Sequence, residues 1–485
     1  MSDGRARRRA GGGPNPGARD ESAGRCWHAE LAWLPGLGVH ADVLIEASGE
    51  RFSSVTPQVH SGDAPADAVR LPGLTLPGFA NAHSHAFHRA LRGITQAGRS
   101  TFWTWRERMY DVAERLDPDS YLALARAVYA EMALAGVSCV GEFHYLHHEP
   151  GGRAYPDPNA MGRALIQAAA AAGIRITLLD TCYLSGGLSP HGKAEPLAGA
   201  QLRFSDGDAH RWAERVEALA PDRRGMLGRH ARAGVAIHSV RAVPPGEMHP
   251  VVALAQRHGA PLHVHLAEQP AENEACLAAY HFTPAQLLFN AGVLGPRTTV
   301  VHATHVSRAD MDLLGGTQTF ACLCPTTERD LADGLPPARE LASAGCRLTV
   351  GTDSHAFIDP IEETRDIELT ERLATRERGL FGADELARAA TMDGHFCLGW
   401  PDAGEIVPGA WADLVTIGFD SPRLAGAVAA TALQSVIFAG SAADVRNVVI
   451  SGRDVVRDGR HLLVTDVPAA LAAAVAAVTG RPADA

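Results

Sequence analysis

Cysteine is scarce in this chain, 8 in 485 residues, and none falls in a disulfide-framework spacing. A disulfide-stapled secreted fold is thereby excluded, and a reducing cytoplasm is the expected compartment. Long apolar runs are also missing: no stretch approaches the roughly 18 apolar residues of a membrane span. The Ala-rich AALAAAVAAV at 469–478 is short and reads as a surface or docking helix. No apolar core follows the basic start, so a secretory signal is not expected. Positive charge is not in excess either. A net charge of -11 argues against nucleic acid as a partner. An anionic substrate would have to be attracted by local arginines. Lysine is almost absent, with Lys193 alone.

What is present is apolar material for a large core, 46% of residues. Residues 1–24 (with RARRRAGGGPNPGARDESAGR) read as a disordered tail, because Gly, Pro and charge leave little to bury. Beyond it, eight apolar runs alternate with helical stretches. They are LTLPGFANAH (74–83), VSCVGEFHY (137–145), IRITLLDTCY (174–183), GVAIHSV (234–240), PLHVHLAE (261–268), TTVVHATHV (298–306), TFACLCP (319–325) and CRLTVGTDSH (346–355). Such near-continuous runs suit parallel strands buried on both faces, and their number suggests a (β/α)8 TIM barrel over 73–401. Short β segments in 25–72 and 402–465 are expected to join into one small β-sandwich domain built from both chain ends. Residues 466–485 read as a C-terminal helix and tail. Cys322 and Cys324 form a CxC that suits packing better than metal ligation.

Polar residues gather at the ends of these runs: His83 and His85; Glu142, His144 and Tyr145; His238 and Arg241; His265 and Glu268; His302 and His305; Asp353 and His355. Barrel active sites sit at the carboxyl ends of the strands. Side chains alternate along a strand, so His83 and His85 share a face. Together with His265 and Asp353 they compose a three-imidazole, one-carboxylate set that suits Zn²⁺ and leaves a position for water. Fe²⁺ or Mn²⁺ fits the same donors. Glu268 suits proton shuttling, and His302 suits steadying the charge that develops on attack. Each residue has an ordinary reading when taken alone. An isolated HxH is usually two satisfied strand-end residues, Asp353 could cap a helix, Glu268 could be a surface acid and His302 a core histidine. All five coincidences in barrel order are much harder to explain that way. With no lysine in GVAIHSV to carry a bridging carbamate, one metal ion per subunit is expected.

PGFANAHSH, HVHLAE, VVHATH and GTDSH resemble the amidohydrolase superfamily in its mononuclear aminohydrolase branch, and ADLVTIGF and VVISGRDVVRDG resemble its composite β domain. TFWTWRERMY, GEFHYLHH, IHSVRAV and LHVHLAEQ are similar, more narrowly, to the N-formimino-L-glutamate deiminase family. The resemblance spans residues about 30–465. It implies His83, His85, His265 and Asp353 as metal ligands, and Glu268 and His302 as the catalytic pair, with Asp353 also taking a proton from water. It places Arg106, Tyr145, His238 and Arg241 on substrate-binding motifs. His88 stands where that family typically has Gln, which implies retained binding with altered pH dependence. The implied activity is release of ammonia from N-formimino-L-glutamate in histidine degradation. The implied partners are a small dicarboxylate and a second copy of the chain. Arg106 and Arg241 suit two carboxylates, because guanidinium forks grip planar anions. A deaminase acting on a purine, pyrimidine or related ring, and a barrel serving only as a scaffold, remain the alternatives. His144, His147 and His148 form a second cluster, read as supporting loop residues because the ligand set is already complete.

Overall fold

The computed structural model describes residues 24–97, 101–220 and 227–480. Apart from Gly24, the expected N-terminal tail lies outside them, as do residues 481–485. Eight strands form one parallel sheet in simple chain order: β1 (Phe79–Ser84), β2 (Val137–His144), β3 (Arg175–Cys182), β4 (Ala231–Ile237), β5 (Leu262–Leu266), β6 (Thr298–His302), β7 (Phe320–Leu323) and β8 (Leu348–Val350). They are the eight runs read from the sequence. The sheet curls until its edges meet. Ser84 pairs in parallel with Asp353, the Asp353 N–H donates to His83 O at 3.0 Å, and the His85 N–H donates to Asp353 O at 3.2 Å. The fold is a (β/α)8 barrel.

The helices between strands follow from local signals. Pro118–Leu134 starts on an Asp117 capping box with Pro at its first turn. Ala160–Ala172 stops at Gly173, which takes the left-handed conformation that ends helices. The Ala-rich C-terminal segment forms Val467–Thr479, burying Val467, Leu471, Ala474 and Val478. No helix among the described residues is long and apolar enough to cross a membrane.

A second eight-stranded sheet draws on both chain ends, in the order Arg460–His461, Arg453–Arg457, Val445–Ile450, Leu414–Ile417, Val69–Pro77, Arg25–Leu34, Gly38–Ser48 and Arg51–Thr56. The sequence reads 74–83 as one strand, but the structure splits it at Gly78 between the two sheets. A Cβ there would stand 2.6 Å from Ser138 Oγ, so the chain passes only as glycine. The two sheets are pinned by an ion pair between Arg175, at the start of β3, and Asp413, each 1% exposed. Burial opposes charge on Asp413, yet the Arg175 guanidinium outweighs it and holds the carboxyl below its ordinary range.

Candidate active site

The barrel seam assembles the first part of the site. Closing β8 onto β1 sets Asp353 beside both histidines of the HxH pair: Oδ1 lies 3.4 Å from His83 Nε2 and 3.3 Å from His85 Nε2. Asn81 and Thr352 lock the seam with two hydrogen bonds, at 2.7 and 3.0 Å. Gly351 crosses His83 so closely that a Cβ there would meet the His83 Cβ at 2.7 Å. At the end of β5, His265 brings its Nε2 to 3.1 Å from that of His83. Asp353 and His302 are held at φ +41° and +72°. Left-handed backbone in residues other than glycine is a form of strain that collects at functional sites.

The donor set fits a cation. His85 and His265 each give the Nδ1 hydrogen to a backbone carbonyl, Phe143 O at 3.0 Å and His238 O at 2.9 Å. Their Nε2 lone pairs therefore point into the cluster. Atoms about 2.0–2.1 Å from a shared tetrahedral centre stand about 3.3 Å apart, which matches these spacings. Burial pushes His85 down to about 3 and also lowers His83 and His265, so all three are neutral, the form that ligates. Asp353 pairs with no arginine or lysine among the described residues; its ion-pair partners are His83, His85 and His302.

Two further groups face this cluster. His302 Nε2 lies 3.7 Å from Asp353 Oδ2 and 3.9 Å from Glu268 Oε1, buried and without a hydrogen-bond partner. Its Nδ1 is held by Glu328 at 3.3 Å. Burial would push His302 down, but Glu268, Glu328 and Asp353 around it drive it well above its ordinary value. Burial raises the Glu268 carboxyl, against the pull of His302 and Arg241. This arrangement of carboxyl, imidazolium and carboxylate around one small space suits proton transfer.

One cavity is lined by His85, His265, Asp353, Glu268 and His302 together with His88, Arg106, Tyr145, His238 and Arg241. His83 lies beneath it, fully buried. Arg241 is held by Glu272 at 2.6 Å and lies 3.8 Å from Glu268. Burial keeps His88 far below its ordinary pKa, so it meets the Tyr145 hydroxyl at 3.0 Å as a neutral ring. Trp105, Met109, Tyr110, Tyr183, Phe204 and Leu331 complete the lining. None was picked out from the sequence, although Trp105, Met109 and Tyr110 lie in TFWTWRERMY and Tyr183 ends the third strand run. The Gly/Pro-rich stretch after Tyr183 forms a small hairpin, Gly187–Leu188 against Ala194–Glu195, and a turn, Gly199–Phe204, whose Phe204 lines the cavity. At its tip a Cβ on Gly192 would meet Ala279 N at 2.4 Å, so glycine lets the hairpin dock on the helix Pro270–Tyr280.

Other strand-end residues support the site without entering the cavity. Glu142 accepts from Ser84 Oγ at 2.6 Å and from the Ala86 N–H at 2.7 Å, fixing the turn that carries His85. His355 hydrogen-bonds Ser84 and Thr352 across the seam. His305 meets Asp333 O at 2.7 Å. Cys322 and Cys324 are buried in an apolar cluster with Phe320, Cys397 and Trp400. Both are also cysteines without a disulfide.

A (β/α)8 barrel with three imidazoles, a carboxylate and a buried glutamate–histidine pair at the carboxyl ends of its strands defines a metal-dependent hydrolase acting on carbon–nitrogen bonds. The chain belongs to the amidohydrolase family, whose profile matches residues 74–455. It is 38% identical over 445 residues to a formimidoylglutamate deiminase of Pseudomonas aeruginosa, covering 89% of this chain and 95% of that one. A 5-methylthioadenosine/S-adenosylhomocysteine deaminase of Pelotomaculum thermopropionicum is 28% identical, with 88% and 92% covered. Among solved structures, an amidohydrolase from Brucella melitensis superposes with a TM-score of 0.85 at 33% identity, covering 94% of this chain and all of that one.

Proposed function

We propose that the protein hydrolyses N-formimino-L-glutamate to N-formyl-L-glutamate and ammonia, a step of histidine degradation. The observation that carries the choice of substrate is the pair of guanidiniums, Arg106 and Arg241, in the same cavity as the ligand cluster. A dicarboxylate needs two such partners. The 38% identity to a formimidoylglutamate deiminase supports the same reading.

His83, His85, His265 and Asp353 would hold one divalent ion, Zn²⁺ by the nature of the donors. Such an ion supplies Lewis acidity that brings the pKa of water from 15.7 to about 7. The remaining work falls to side chains. Asp353 Oδ2 faces the reaction space and accepts the proton of the attacking water. His302, held cationic by three carboxyls, stabilises the charge that develops on oxygen. Glu268 delivers a proton to the departing nitrogen. One carbon–oxygen bond forms, the bond to the terminal nitrogen breaks, and ammonia leaves. Arg106, Arg241, Tyr145, His238 and His88 hold the glutamyl part.

The aromatic lining is the feature that a ring substrate would also want. Arg106→Ala and Arg241→Ala separate the readings, since a ring deaminase would be indifferent to them. Incubation of zinc-loaded protein with N-formimino-L-glutamate is expected to give ammonia and formylglutamate in equal amounts. Formamide and glutamate instead would overturn the bond choice, and no turnover would overturn the substrate.

A further inference from the structure

One buried carboxyl near Glu268 takes no part in the steps proposed above. Asp333 follows the helix Pro325–Asp330 and is 3% exposed. Its N–H donates to Glu328 O at 2.9 Å, and its backbone carbonyl accepts from His305 Nε2 at 2.7 Å. Its Oδ1 accepts from Gln269 Nε2. Gln269 follows Glu268, and His305 lies three residues beyond His302. One residue thus ties together the segments that carry Glu268, His302 and Glu328. Gly334, at φ +133°, lets the turn pack this closely, since a Cβ there would stand 3.2 Å from both His305 and Thr304. The second carboxyl oxygen, Oδ2, is buried and has no hydrogen-bond partner. Nearby arginines are engaged elsewhere: Arg329 with Glu362 and Asp366, and Arg241 with Glu272. The charges that act on Asp333 are those of Glu268, Glu328 and Asp353, opposed only by the imidazolium of His302. A buried carboxylate with an unsatisfied oxygen and no cation of its own is far costlier than the same group protonated. Burial first, and then Glu268, push Asp333 up to about 9.

We infer that Asp333 is an uncharged carboxylic acid and a positioning residue for Glu268, bracing the turn behind it through Gln269 while adding no negative charge beside it. The positioning role rests on Glu268 as the proton donor proposed above, whereas the charge state of Asp333 does not. An ionised Asp333 would make Glu268 hold its proton more tightly and so weaken it as an acid. Turnover is therefore expected to fail where Asp333 ionises.

Asp333→Asn copies the protonated form, offering Oδ1 to Gln269 and an amide N–H in place of the hydroxyl. Urea unfolding of zinc-loaded wild type and variant is compared between about pH 5 and 8. An unfolded aspartate titrates near 3.9, so across this window the folded wild type holds one proton that unfolding releases. Rising pH then destabilises wild type relative to Asp333→Asn, and the ratio of their unfolding constants should grow about tenfold per pH unit. A ratio independent of pH would show an ionised Asp333 and overturn the inference. This arm needs no substrate, so its failure is distinct from failure of the proposed reaction. In turnover, Asp333→Ala strands Gln269 and should lower kcat about 10–100-fold with KM nearly unchanged. Asp333→Asn should recover most of that loss and lack the fall in kcat that wild type shows above pH about 9. Wild-type kcat in Asp333→Ala, or the same alkaline fall in Asp333→Asn, would overturn the positioning role. If wild type turns over no N-formimino-L-glutamate, that role falls with the proposed reaction, and the urea comparison still decides the charge.

Discussion

Two clusters of histidines and carboxylates lie at the carboxyl end of this barrel, and they differ in one respect. His83, His85, His265 and Asp353 come together with no arginine or lysine paired to Asp353 among the described residues. His144, His147 and His148, with Asp180 and Asp206, surround Arg215. That guanidinium reaches both Asp180 oxygens at 2.9 and 2.8 Å and Asp206 at 2.9 Å. Burial opposes charge on Asp180, yet Arg215 outweighs it and keeps the carboxyl below its ordinary range. His144, His147 and Asp180 do converge closely enough to hold an ion, but the positive charge such a site would recruit is already built in. Ligand count does not define a metal centre; charge balance does.

The most damaging change to the first cluster is Asp353→Asn. It is expected to remove tightly bound metal and lower kcat on the order of 10⁴-fold, read by elemental analysis and steady-state rates. Retained metal and rate would erase the distinction between the clusters. Arg215→Met should leave metal content and KM alone but destabilise the fold by about 3–5 kcal/mol in urea titrations, because two buried carboxylates lose their partner. A second equivalent of zinc bound by that variant with stability intact would show that the clusters are interchangeable. Arg241→Ala, at the edge of the catalytic cluster, should raise KM for the dicarboxylate about 10–100-fold.

The smallest effect concerns acid. Burial, then Arg215, pushes His147 down to about 4. Its native pKa lies below the ordinary value of about 6.5, so the unfolded chain takes up a proton first as pH falls. Its contribution to stability is full above pH 6.5 and declines between about 6.5 and 4. At pH 5.5 the loss is about 1 kcal/mol. His147→Asn should flatten that part of the pH–stability curve; an unchanged slope would mean that His147 titrates normally.

The barrel was legible because each strand run ends on a titratable residue, a pattern that scattered core histidines would not keep. The candidate ligand residues were legible for the same reason. Gly78 was not: breaking one apolar run between two sheets depends on Ser138 and Asp413, which are remote in sequence. Tyr110, Tyr183 and Phe204 were missed as cavity residues because an aromatic after an apolar or helical run ordinarily means core. Glu328 was missed because a carboxylate within CPTTERD looks like a surface acid until the turn after β7 brings it beneath His302.

The order of residues along the chain by itself determined the eight strands, the end of the barrel at which the polar residues gather, and the side chains proposed to bind a metal and transfer protons. These follow from alternation and strand-end placement, which are local. Only the closed barrel decided that Asp353 meets His83 and His85 across the seam, that Arg215 fills one cluster while Asp353 pairs with no arginine or lysine among the described residues, and that Tyr110, Tyr183 and Phe204 line one cavity. Those outcomes depend on distances between segments tens to hundreds of residues apart, and on the low dielectric that burial creates around them.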